Sequence, residues 1–254
     1  MDDDFAAVER LLAGSAFSRV RHDRETGSTN EDAAALLGQA EARGLTIVAD
    51  YQQRGAGRKG RTWVARPEAA LLFTTILPEQ LPAADLWVVP FWTALAVRAA
   101  LAEFGIPAAL HWPNDLLVDD AKICGILCVS RVAGERAWVG CGVGVNVTRW
   151  PQARDIVPPP AFCDDIAPVD RASLLGRILT GFDRTLDRLH APDLVARAWE
   201  RAAGIPGARY RILRDGEVAA FEATAAGLER GGALLVEREG RREAISLADA
   251  RALR

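Results

Sequence analysis

The chain has 254 residues, 50% of them apolar and 26% charged, enough to bury a substantial core without disulfides or metal. At about 150 residues per domain this length suits one large domain and a small one. A net charge of −3 argues against nucleic acid as the main partner, so any basic site must be local.

The chain opens with Met1-Asp2-Asp3-Asp4, the reverse of a basic targeting peptide. No apolar run approaches membrane-spanning length, so a cytoplasmic protein is expected, with no membrane partner. Residues 5–14 read as a short amphipathic helix with Phe5, Val8, Leu11 and Leu12 on one side. Ser28-Thr29-Asn30-Glu31 has the form of a capping box, with a helix running on to about residue 42. Residues 45–49 form a strand that feeds the run Gln52-Gln53-Arg54-Gly55-Ala56-Gly57-Arg58-Lys59-Gly60-Arg61-Thr62-Trp63, and residues 71–77 form the strand that leaves it.

That run places four Arg or Lys side chains among three glycines, a composition suited to closing over an anion. Gly55-x-Gly57-x-x-Gly60 imitates a dinucleotide fingerprint, and Gly55-x-x-x-x-Gly60-Arg61-Thr62 imitates a P-loop. Both need a helix directly after the last glycine, whereas here Pro67 and then a strand follow. The bland alternative is a solvated basic loop.

Residues 85–104 have helical spacing and stop at Gly105-Ile106-Pro107. Residues 116–118 and 123–130 read as a hairpin around Asp119-Asp120, and residues 138–147 as a strand whose Gly140, Gly142 and Gly144 leave room on one face. Residues 148–169, with Pro158-Pro159-Pro160, read as a long mobile loop. Helices are expected at 171–190 and 193–203, followed by a linker at Ile205-Pro206-Gly207. Four β-rich stretches then follow, near 208–214, 217–225, 233–237 and 243–247. Cys124, Cys128, Cys141 and Cys163 form no C-x-x-C pair, and His22, His111 and His190 are scattered, so no metal ligands are expected.

Three further segments can join the basic run. Ser28-Thr29-Asn30 open a helix, where free amides favour polar or anionic groups, although plain capping accounts for Ser28. His111-Trp112-Pro113-Asn114-Asp115 puts an amide and a carboxylate at a strand end, where a turn explains them almost as well. Lys122 precedes an apolar strand, and locally reads as a solvated hairpin lysine.

Taken in order, Gly27-Ser28-Thr29-Asn30, Gln52…Gly55-x-Gly57-Arg58-x-Gly60-Arg61-x-Trp63, Trp112-Pro113-Asn114-Asp115…Lys122-x-x-Gly125-Ile126-Leu127 and Gly142-x-Gly144-x-Asn146 resemble the biotin protein ligases, from about residue 25 to the end. The resemblance implies an α+β fold: a catalytic domain of the class II aminoacyl-tRNA synthetase type over residues 1–204, a mixed sheet flanked by helices, and an SH3-like barrel over 205–254. It implies ATP-dependent formation of biotinyl-5′-adenylate, then transfer of the biotinyl group to a lysine of a biotin carrier domain, by default that of acetyl-CoA carboxylase. Mg²⁺ would accompany ATP.

By the same resemblance, Ser28, Thr29, Asn30, Gln52 and Gly57 meet biotin, and Arg58 and Lys122 hold its carboxylate and the adenylate phosphate. Asp115 orients the incoming lysine or accepts its proton. Arg61, Trp63, Asn114 and Asn146, with Arg58 and Lys122, line the nucleotide side. The chain departs from the family pattern at Ala56, where Arg is usual, and at His111, where Lys is usual; Arg54 stands two residues from the lost cation. The chain before Gly27 is short for the winged-helix domain of bifunctional members, so repressor function is not expected. A monomer and a homodimer both fit. Two other readings remain: a lipoate or octanoate ligase of the same fold, and a biotin-binding regulatory protein weakened in catalysis.

Overall fold

The computed structural model describes residues 4–247 and 250–253; the acidic start, residues 1–3, lies outside them. Helix α1 (Phe5–Leu11) is capped by the Asp4 carboxylate and buries Phe5 and Val8, with Leu12 just beyond its end. Leu11, expected on that face, is 66% exposed, because it lies at the margin of the stripe that 5, 8 and 12 define.

The chain continues through β1 (Arg19–Thr26), α2 (Thr29–Leu36), β2 (Leu45–Gln52), β3 (Ala70–Ile76), β4 (Leu81–Pro82), α3 (Val89–Glu103), β5 (Ala109–His111), β6 (Asp115–Val118), β7 (Ala121–Ala133) and β8 (Arg136–Asn146). These strands form one eight-stranded mixed sheet in the order β1-β2-β3-β8-β7-β6-β5, with β4 paired to β8. Only β1 and β2 run parallel. The β6–β7 hairpin turns at Asp119 (φ 46°) and Asp120 (φ 61°), the two left-handed residues of a tight hairpin loop.

Helix α2 ends at Leu36 rather than near residue 42. Leu37 turns extended to bury its side chain beside Ala33, Ile47 and Ile76, and Gly38 at φ 99° reverses the chain. This small cluster covers one face of the sheet. The larger core lies on the other, where α3, α4 (Arg171–Thr185) and α5 (Pro192–Ala202) pack through Phe91, Trp92, Phe182 and Trp199. The expected helix at 171–190 is α-helical only to Thr185, then tightens into a 3₁₀ turn over Leu186–His190.

Residues 148–169 are not the structureless loop expected. They hold 3₁₀ turns at Pro151–Asp155 and Cys163–Asp165, and bury Trp150, Ala153 and Phe162 with Ala69. The aromatic content of that segment gave it a core that its prolines concealed. The segment Ala83–Glu103 also corrects an expectation, being long and apolar enough by composition to cross a membrane. Here it is a 3₁₀ turn leading into α3, nine of whose residues are buried inside the fold.

A second, antiparallel sheet follows, made of β9 (Arg209–Arg214), β10 (Phe221–Leu228), β11 (Leu234–Arg238), β12 (Arg241–Ile245) and β13 (Ala250–Leu253), in the order β12-β11-β10-β9-β13. It has five strands rather than four, because the last returns to pair with β9. Tyr210, Ile212, Val236 and Ile245 belong to the same continuous core as α3 and α5. All four cysteines are free, and burial pushes the Cys163 thiol up to about 12.

Candidate active site

The first part of the site is polar and held by long-range bonds. Ser28 occupies the N-cap of α2 with extended backbone, but its side chain makes no capping bond. The cap comes from β2: Gln52 Oε1 accepts from the Thr29 backbone N–H at 2.8 Å and from Thr29 Oγ1 at 3.0 Å. Glu31, expected to close a capping box, instead pairs with Arg54 at 2.7 Å on the surface. Asn30 donates from Nδ2 to the Leu127 carbonyl at 3.0 Å. Thr74, fully buried on β3, has its hydroxyl 2.8 Å from Asn30 Oδ1 and 2.9 Å from Thr29 Oγ1. Thr29, Asn30, Gln52 and Thr74 thereby hold one another in place, which limits the ordering cost of binding.

The basic run forms a short ribbon. Ala56 bridges Thr62, the Gly57 N–H donates to the Arg61 carbonyl at 2.6 Å, and the Trp63 N–H donates to the Gly55 carbonyl at 2.8 Å. Its tip, Arg58–Gly60, places Lys59 at φ 55° and Gly60 at φ 71°. Arg58 reaches inward, donating to Asn114 Oδ1 at 3.4 Å and to the Leu247 carbonyl. Burial, then the neighbouring Arg61, pushes the Arg58 pKa down, while Asp115 and Asp215 oppose the change. A guanidinium keeps its charge under such a shift.

Trp63 lies flat across the sheet where side chains are missing. A Cβ on Gly144 would come within 2.8 Å of its indole, and one on Gly142 within 2.2 Å of Asn30 Oδ1. The alternate glycines of β8 thus make the room that the sequence pattern implied, and site side chains fill it. Lys122 Nζ stands 5.5 Å from the Trp63 ring centroid and 2.6 Å from Asp115 Oδ1. The Lys122 carbonyl accepts from Asn146 Nδ2 at 3.1 Å and from the Ala161 N–H at 3.0 Å. Asn114 is held by β7 through its Nδ2, 2.6 Å from the Ile126 carbonyl.

These elements enclose a cleft of about 250 Å³. Ser28, Thr29, Asn30 and Gln52 line one part of it, and Gly57, Arg58, Arg61, Trp63, Asn114, Lys122 and Asn146 line the rest. Asp115 does not line it; its carboxylate sits against the Lys122 ammonium instead. Arg54 does not line it either, so it leaves the position beside Ala56 without a replacement cation. His111 turns away, its ring 5.0 Å from that of Tyr210 on β9. Sequence reasoning missed three contributions. Thr74 and Leu72 lay hidden in an apolar strand, and Ile156, Val157, Pro158 and Pro160 form a lip from the segment read as a mobile loop. No carboxylate lines the cleft among the described residues, so its charged wall is wholly cationic.

The model of the biotin/lipoate A/B protein ligase family matches residues 24–146, the part of the chain that supplies most of this cleft. A biotin–[acetyl-CoA-carboxylase] ligase of Paracoccus denitrificans is 31% identical over 88% of this chain and 96% of its own length. The chain belongs to the biotin protein ligase family. A second member, the biotin–[acetyl-CoA-carboxylase] ligase of Mycobacterium tuberculosis, is 30% identical over 84% of this chain and 82% of its own length. The fold is that of the biotin protein ligase from Aquifex aeolicus, solved with biotin and ATP: TM-score 0.75 at 24% identity, covering 94% of this chain and 100% of the other. The family's segments are thus the ones that converge here, while His111 and Asp115 lie outside the cleft lining, Asp115 against Lys122 and His111 against Tyr210.

Proposed function

We propose that the chain is an ATP-dependent biotin–protein ligase, which activates biotin as biotinyl-5′-adenylate and transfers it to a lysine of a carrier domain. The observation that carries this reading is the polarity of one cleft: fixed hydrogen-bonding groups in one part, Arg58, Arg61 and Lys122 in another, and an apolar wall of Leu72, Leu127 and Val143. That combination suits a ligand with a polar head, an aliphatic middle and an anionic end. The biotin head is assigned to Ser28, Thr29, Asn30 and Gln52, with Gly57 giving close backbone approach. Leaving such groups unpaired on burial would cost about 1–3 kcal/mol each.

In the first step a carboxylate oxygen of biotin attacks the α-phosphorus of ATP, a new O–P bond forms, and pyrophosphate leaves. Two anions must approach, and Arg58 and Lys122 offset their repulsion with charges already in place. Asp115 holds Lys122 at 2.6 Å and so aims the ammonium into the cleft. In the second step a neutral lysine amine attacks the acyl carbon, the C–O bond to phosphate breaks, and AMP leaves. The proton of the amine passes to the neighbourhood of Asp115, the nearest carboxylate to Lys122. Arg61, Trp63, Asn114 and Asn146 are assigned to the nucleotide, with Val157 on the opposite lip.

Mg²⁺ has no protein cage to enter: the described residues contain no cluster of three or more His, Cys, Asp or Glu. It is therefore placed with the ATP phosphates, as part of the substrate. The carrier is assigned to a biotin-dependent carboxylase, in line with the names of the two relatives, and the reaction to the cytoplasm, where ATP is supplied. Neither nucleic acid nor membrane has a part in it. Residues 1–204 are assigned as the catalytic unit and 205–254 as an SH3-like one.

Purified protein incubated with ATP, Mg²⁺ and biotin is expected to label a biotin carrier domain, detected with avidin. Labelling with lipoate but not with biotin would overturn the substrate assignment.

A further inference from the structure

The ribbon that carries Arg58 does not end in solvent. Its tip touches segments that join the strands of the C-terminal sheet at two places: Lys59 Nζ lies 2.7 Å from both carboxylate oxygens of Asp215, and Arg58 donates to the Leu247 carbonyl. Asp215 belongs to the Asp215-Gly216 turn that follows β9, with Gly216 at φ 83°. Lys59, although part of a basic loop, is only 27% exposed in its side chain. Lys59 adopts left-handed backbone (φ 55°), which is unfavourable for a residue other than glycine and persists where surrounding contacts hold it. Asp215 is also close enough to oppose the downward shift of the Arg58 guanidinium.

We infer that Asp215 is a positioning residue for the reaction: through Lys59 it pins the ribbon tip to the C-terminal sheet and keeps Arg58 over the cleft. The inference rests on the ligase reading, and it gives the C-terminal sheet a part in retaining the acyl-adenylate. The pair is partly exposed, so its contribution is modest and screened by salt. The effect belongs on the lifetime and binding of the intermediate rather than on folding.

The test is Asp215→Asn, which keeps shape and removes charge. With biotin, MgATP and serum albumin as a bystander protein, released adenylate acylates albumin lysines. Asp215→Asn is expected to raise albumin labelling and the KM for biotin three- to tenfold each, with kcat for carrier labelling within twofold and Tm unchanged. Lys59→Gln should give the same phenotype, and the swap Lys59→Asp with Asp215→Lys should restore much of the retention. Raising ionic strength should weaken retention in the native chain and leave Asp215→Asn little affected. Unchanged KM and albumin labelling in both single variants would overturn the inference while leaving the ligase intact. A lowered KM would overturn it too, since the pair would then restrain the ribbon. If the native chain forms no adenylate at all, the ligase reading itself fails, and the inference with it.

Discussion

On the proposed reading, Lys122 and Thr74 divide chemistry from binding. The Lys122 ammonium is held by Asp115 and lines the cationic part of the cleft, the part the proposed reaction assigns to phosphoryl transfer. Removing such a group costs about 10²–10³ in rate when it acts mainly in the transition state. Thr74 touches no anion; its hydroxyl organises Thr29 and Asn30. Thr74→Val keeps the volume but leaves Asn30 Oδ1 without that donor, worth about 1–3 kcal/mol in a buried position. The two variants should therefore have opposite signatures. Lys122→Ala is expected to slow pyrophosphate release about a hundredfold with biotin affinity, measured by calorimetry, within tenfold of native. Thr74→Val is expected to weaken biotin about tenfold with little loss of rate at saturation, and Thr74→Ser to restore it. Equal losses of binding and rate in Lys122→Ala would remove it from the acyl-phosphate. Lys122 was legible only because of its distance from Trp112-Pro113-Asn114-Asp115. Thr74 was not legible, since Thr74 and Thr75 stand side by side in a buried apolar strand and nothing local says which hydroxyl meets the site.

The elements differ in how far local chemistry determined them. Strands β2, β3 and β8 and helix α3 lie close to where apolar runs or helical spacing placed them, because a strand buried on both faces reads as an unbroken apolar run. The start of α2 failed locally: the capping box did not close, because Gln52, 23 residues away from Thr29, supplied the cap. No window of sequence contains that bond. The segment 148–169 failed for a similar reason, as Trp150 and Phe162 needed Ala69 of another element to become a core. At the ribbon the sequence question about Ala56 now has a geometric form. Ala56 lines the cleft, and Arg54 is committed to Glu31 outside it. Ala56→Arg would add a cation to the cleft wall beside Arg58 and Arg61. It is expected to lower the KM for ATP at least threefold, with the gain shrinking at high salt, because a partly exposed charge is screened. Unchanged nucleotide affinity would mean that Arg58, Arg61 and Lys122 already saturate the phosphate.

At the scale of the whole molecule, the two sheets are joined by more than the ribbon tip. Trp112 Nε1 donates to the Gly232 carbonyl at 3.0 Å, the Glu200 carboxylate accepts from the Leu228 N–H at 2.6 Å, and Tyr210 is buried against His111. The apolar core runs without a break from Phe91 and Trp199 to Tyr210, Ile212 and Val236. A turn-rich boundary such as Ile205-Pro206-Gly207 suggests a linker when read alone, but what decides independence is the surface that each side buries on the other. Two units that share a core and buried hydrogen bonds unfold together. Calorimetry of the full chain is accordingly expected to show one cooperative transition. Biotin alone at about a hundred times its dissociation constant should add about 2.7 kcal/mol. For a chain of this size that moves the whole transition up by about 5–10 °C. If the second sheet melted as a separate, ligand-insensitive transition, the shared core would not couple the units. The ribbon tip would then be their only functional link.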